Sequence, residues 1–71
     1  MKLLNWNLKK QIAKNYSIAE LCYAITDCLE CIRFKIDDGY YADEASVYYA
    51  ELKKRGLNYE AVKWAYKKGD K

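Results

Sequence analysis

The chain has 71 residues, 13 basic against 10 acidic for a net charge of +3, and 52% hydrophobic content, with three glycines, three cysteines, no proline and no histidine. That describes one small domain spanning 1–71, apolar enough to collapse but able to bury only about 60% of the surface its unfolded chain exposes, so self-association is a natural supplement to its core. The absence of histidine removes most acid–base, metal and Ser/Cys–His mechanisms.

Residues 1–14 carry Lys2, Lys9, Lys10 and Lys14 and no acid. Met1 to Asn7 opens like a signal peptide, but no apolar run follows. The longest apolar stretch is Leu21-Cys22-Tyr23-Ala24-Ile25, against the roughly 20 residues that span a bilayer. A soluble, cytoplasmic protein with no membrane partner is expected. Leu4, Trp6 and Leu8 alternate with polar residues as in a strand, whereas Leu4, Leu8 and Ile12 suit a helix. The expectation for 1–14 is a basic N-terminal arm or short helix.

Ser17-Ile18-Ala19-Glu20 is a capping box, with Tyr16 and Leu21 placed for a hydrophobic staple. Behind it Ile18, Ile25 and Ile32 occupy one heptad seam and Cys22, Leu29 and Ile36 the other, which predicts a first helix over about 17–37. Its opposite side carries Tyr23, Asp27, Glu30 and Phe34, two rings bracketing two acids. Asp37-Asp38-Gly39 is a turn signal. A second helix over about 40–55 follows, with Tyr41, Ala45, Tyr48 and Leu52 inward, Tyr40 and Val47 on one flank and Tyr49 on the other. Gly56 is placed for a left-handed position that lets Leu57 fold back onto Leu52. The short connection makes the two helices an antiparallel hairpin. Asn58 then caps a short third helix over about 59–68, with Tyr59, Val62, Ala65 and Tyr66 inward and Trp64 pointing away beside Lys67 and Lys68. The fold class is therefore all-α.

Cys22, Cys28 and Cys31 are an odd set that fits a reducing compartment, with free thiols serving as small apolar side chains. The Cys28-Leu29-Glu30-Cys31 spacing is half of a zinc or redox site, but no second pair or histidine completes it. The alternative for Cys31 is an intermolecular disulfide. Asp37, Asp38, Asp43 and Glu44 lack the spacing of a calcium loop, and three scattered glycines make no phosphate loop. Asp27 and Glu30 stand one turn apart without a polarising partner. No enzyme, metal or cofactor is expected.

The surplus aromatic residues admit two accounts. In the first, the basic terminal segments fold over the acidic, aromatic back of the first helix, bringing Trp6 or Trp64 near Tyr23 and Phe34. In the second, these faces meet another chain, because tyrosine and tryptophan are enriched at interface hot spots. The second is favoured. It predicts a protein-interaction module, self-associating as a homo-oligomer or acting on a host protein, anchored on Tyr23 and Phe34 with Asp27 and Glu30 giving charge specificity. Tyr40, Val47 and Tyr49 are next, then Trp64 and Trp6. The competing reading is a DNA- or RNA-binding regulator. Residues 50–68 are similar to a helix-turn-helix, which would offer Lys53, Lys54, Arg55, Lys63, Trp64 and Lys67 to nucleic acid. Leu52 is large where that motif has a small residue, and Glu51, Glu60 and Asp70 dilute the positive field.

Gly39-Tyr40-Tyr41-Ala42-Asp43-Glu44, followed by Tyr49-Ala50-Glu51-Leu52-Lys53-Lys54-Arg55, resembles small helical accessory proteins of tailed bacteriophages. The resemblance covers about a quarter of the chain and carries no catalytic motif. It implies a short protein working in an infected bacterium's cytoplasm by binding and redirecting a host protein.

Overall fold

The computed structural model describes residues 3–66, and all regular structure among them is helical. Helix α1 spans Trp6–Asn15, α2 Ile18–Arg33, α3 Asp38–Lys54 and α4 Tyr59–Val62, with a 3-10 turn over Lys63–Tyr66. Helices α2 and α3 form the expected hairpin, and α1 packs along α3. The assembly measures 34 × 26 × 15 Å over its backbone. A body that thin, against a helix diameter of about 10–12 Å, leaves most helices an outward side.

Local chemistry sets the helix starts. Asn5 Oδ1 accepts the Leu8 amide at 3.1 Å, so the N-terminal segment begins a helix rather than a strand. The capping box at α2 is complete: the Glu20 amide donates to Ser17 Oγ at 3.1 Å and the Ser17 amide to Glu20 Oε1 at 2.7 Å. Asn58 caps α4 through the Glu60 amide at 2.8 Å. The expected third helix is shorter in α-form, because it tightens into the 3-10 turn after Val62; residues 67 and 68 lie outside the described residues.

Both hairpin helices end in the same Schellman geometry. At α3, the Gly56 amide donates to the Lys53 carbonyl and the Leu57 amide to that of Leu52, both at 2.9 Å, with Gly56 at φ +77°. At α2, the Lys35 amide reaches Ile32 at 3.0 Å and the Ile36 amide Cys31 at 2.9 Å, but the left-handed residue is Lys35, at φ +59°. Asp37 is also left-handed at φ +45° and makes no side-chain cap. The turn therefore occupies 34–37, earlier than Asp37-Asp38-Gly39. Gly39 is helical, and a Cβ there would meet nothing within 4 Å.

The core is Leu21, Cys22, Ile25 and Cys28 of α2 against Ala45, Val47, Tyr48 and Leu52 of α3, joined by Leu4, Ala13 and Tyr59. The α3 stripe matches the sequence reading. The α2 stripe is rotated from the isoleucine seams: Leu21 and Cys28 take the centre, while Leu29 is exposed and Ile36, beyond the helix end, stands outside. Cys22 and Cys28 serve as small apolar side chains, and all three thiols are free.

A lysine in the left-handed region is strained by roughly 1 kcal/mol relative to glycine. Lys35→Gly should raise stability by about 0.5–1 kcal/mol and Gly56→Ala should lower it by about 1 kcal/mol, read as opposite shifts of the urea midpoint.

Candidate functional site

The two flanks of α3 are covered by the chain's own ends. Lys9 Nζ of α1 donates to Glu44 Oε2 at 3.2 Å, and the Tyr48 hydroxyl donates to the same oxygen at 2.6 Å. Tyr16, just past α1, stacks on Tyr48 with centroids 5.9 Å apart. Farther along, the Arg55 guanidinium binds Glu51 through Nε at 2.9 Å and the carbonyls of Ala13 and Lys14 through Nη2 at 3.2 Å each. Arg55 thus caps the end of α1, adding a second bond to the Ala13 carbonyl, which also accepts the Tyr16 amide at 3.1 Å. These ties put the start of α1 near the start of α3 and their ends together, so the two helices run the same way.

This arrangement corrects one expected site. Val47 is only 5% exposed and is a core residue, because α1 lies over that flank; Tyr40 beside it is half-buried against the core. On the other flank Tyr49 meets the edge of Tyr59, centroids 5.6 Å apart. Thr26 gives its hydroxyl proton to the Cys22 carbonyl at 2.9 Å, so the Tyr59 hydroxyl is the donor in its own 2.9 Å bond to Thr26. That bond pins α4 to α2.

What stays open is the outer side of α2. Tyr23 is 39% exposed and Phe34 67%, with Asp27 and Glu30 exposed between them. Arg33 lies over the Phe34 ring at 5.9 Å. In the less favoured of the two accounts the basic terminal segments fold over this back; the N-terminal one packs on α3 instead, and Trp6 and Trp64 are both exposed. Of the residues ranked behind Tyr23 and Phe34, α1 covers Val47 and Tyr40 is half-buried, while Tyr49 stays 38% exposed beside Tyr59. A shallow groove of about 280 Å³ between α1 and α3, floored by Ala13, Val47 and Ala50 and rimmed by Lys10, Lys14 and Lys54, had no counterpart in the sequence reading. It depends on which side α1 takes, and no local pattern encodes that.

The residues of the nucleic-acid reading are not gathered on one free surface. Arg55 is held by Glu51 and the α1 carbonyls. Lys63 bonds Glu60 at 2.6 Å and lies over the Tyr59 and Trp64 rings at 5.7 and 5.3 Å. Lys53 and Lys54 are exposed, and Lys67 lies outside the described residues. The segment after Asn58 offers one α-helical turn where a recognition helix would enter a groove. Among the described residues no three metal-ligating side chains cluster, and no helix is long and apolar enough to cross a membrane.

The titratable groups around Glu44 share one sign of shift. Burial pushes the Cys28 thiol up from its ordinary 9.0 to about 12, with the Glu44 charge adding to it. Burial and then the Glu44 hydrogen bond raise the Tyr48 phenol above 10.0. Burial acts to lower the Lys9 ammonium, but the hydrogen bond and charge of Glu44 outweigh it and leave Lys9 above 10.5. In each case the fold favours the protonated form, so this stability is fully present below the unfolded value and is lost as pH rises through the folded one. Stability should begin to fall near pH 9 and decline by up to about 1.4 kcal/mol per pH unit through Cys28 alone. Burial raises the Cys22 thiol above 9.0 as well, so Cys28→Ala should leave the onset near pH 9 but make the decline shallower, with Tyr48 adding to it above about pH 10, as read from urea midpoints across the alkaline range. In the native state half-buried Cys31 should react with a thiol reagent well before Cys22 and Cys28.

No protein-family model, curated protein or solved structure matches the chain.

Proposed function

We propose that this chain is a non-enzymatic protein-interaction module, self-associating or acting as an adaptor or modulator of a host protein, and that it works in the bacterial cytoplasm as a phage-encoded accessory protein. The observation that carries this reading is the outer side of α2. Tyr23 and Phe34 remain exposed there although the chain's own N-terminal helix was available to cover them. Eleven residues apart on one helical side, the rings stand roughly 16 Å from each other along the axis. Such a spacing suits two anchors in separate pockets of a partner, with Asp27 and Glu30 facing cations between them. The phage origin is supported by the short segments around Tyr40 and Tyr49.

The test compares the wild-type chain with Tyr23→Ala/Phe34→Ala. Surface substitutions outside the core change stability by no more than about 0.5 kcal/mol each, whereas hot-spot truncations cost about 2 kcal/mol or more of binding. The double variant should keep its helical circular dichroism and urea midpoint while losing, by roughly 30-fold or more, its affinity for proteins the wild type captures from bacterial lysate. Undiminished capture, or unfolding by several kcal/mol, would place the interaction elsewhere or the rings in the core. Salt-sensitive retention on duplex DNA that survives the double substitution would favour the regulator instead.

A further inference from the structure

The groove between α1 and α3 has an unusual charge balance. Its floor of Ala13, Val47 and Ala50 is apolar, and its rim carries Lys10, Lys14 and Lys54. Glu51 also lines it, but that carboxylate is engaged by Arg55 at 2.9 Å. Among the described residues none of the three rim lysines makes an ion pair. Like charges gathered around an apolar strip repel one another and favour an occupant that is both acidic and apolar.

The chain itself presents such an occupant. On the outer side of α2, Glu30 and Asp27 stand one and two turns before the exposed Phe34. Resting on the reading of that side as an interaction surface, we propose that the α1–α3 groove of one copy receives the outer side of α2 from a second copy. Phe34 sits on the Ala13–Val47–Ala50 floor, and Glu30 and Asp27 face Lys10, Lys14 and Lys54. The groove and the α2 stripe are different surfaces of the same molecule, so the contact is heterologous, head to tail. Each added copy brings one fresh groove and one fresh stripe, and the product is a short open chain or a ring. The contact is small and rim-charged, so it is weak, concentration-dependent and sensitive to salt.

Sedimentation velocity on the full chain at increasing concentration and low salt tests this with two charge-reversed variants. One carries Lys10→Glu and Lys54→Glu in the groove, and the other Asp27→Lys and Glu30→Lys on the stripe. Wild type should associate, and each variant alone should stay monomeric because its groove and stripe then share one sign. Association should return when the two are mixed, since opposite signs face each other again, and Phe34→Ala should weaken the wild-type contact at least tenfold. A wild type that remains monomeric at millimolar concentration, or variants that associate as wild type does, would overturn the proposal. If the wild type is monomeric while Tyr23→Ala/Phe34→Ala still abolishes capture of a bacterial protein, the interaction reading stands and only the second copy as occupant is lost.

Discussion

The carboxylate of Glu44 decides which side of the hairpin the N-terminal helix covers. It accepts a hydrogen bond from Tyr48 and another from Lys9 on a single oxygen, with a side chain only 12% exposed. Hydrogen bonds to a charged group contribute about 1.5–3 kcal/mol each, more than the roughly 0–1 kcal/mol of a surface ion pair. Tyr48 in turn is fully buried and stacked on Tyr16, so the same residue that fills the hairpin core also fixes the exit of α1. At the far end Arg55 closes the arrangement by binding the last carbonyls of α1. Two polar ties little more than one turn apart on α1 set its direction, and the small side chain of Ala13, at the second of them, lets the helix approach Val47.

The distribution of rings follows from that placement. Six of the eight tyrosines pair with each other, Tyr16 with Tyr48, Tyr40 with Tyr41 and Tyr49 with Tyr59. Tyr16–Tyr48 and Tyr49–Tyr59 join α3 to the segments on its two flanks, while Tyr40 and Tyr41 are neighbours near its start. Tyr23 takes part in none of these pairs, and Phe34 meets only the neighbouring Arg33 among the ring contacts of the described residues. An aromatic-rich chain thus uses most of its rings for cohesion and leaves Tyr23 and Phe34 exposed on the outer side of α2. Among the described residues every buried side-chain nitrogen or oxygen has a hydrogen-bond partner.

Features coded by a few neighbouring residues were legible in the sequence. The Ser17–Glu20 box, the Gly56 termination with Leu57 folding back and the Asn58 cap are each local hydrogen-bond problems with local solutions. The α3 stripe was legible because its apolar residues fall on one narrow arc. The α2 stripe was legible in part: Leu21, Cys22 and Ile25 are buried, but heptad spacing carried it on to Leu29 and Ile36 and passed over Cys28, which fills the small space that close packing on α3 leaves. Ile36 drew the helix too long; Lys35 adopts the left-handed conformation before it, a choice no side-chain preference signals. The side taken by α1 was not legible at all. Its lysines had acids to meet on α2, at Asp27 and Glu30, as well as on α3, at Glu44 and Glu51, and only tertiary geometry chooses between them. The groove rimmed by Lys10, Lys14 and Lys54 exists only because of that choice.

Nuclear Overhauser contacts between methyl groups and rings in solution test the placement of α1 most directly. The account predicts contacts from Ala13 to Val47 and from the Tyr16 ring to Tyr48, with none from α1 to Tyr23 or Phe34. Contacts from α1 side chains to the Tyr23 or Phe34 rings, with Val47 free of them, would contradict it.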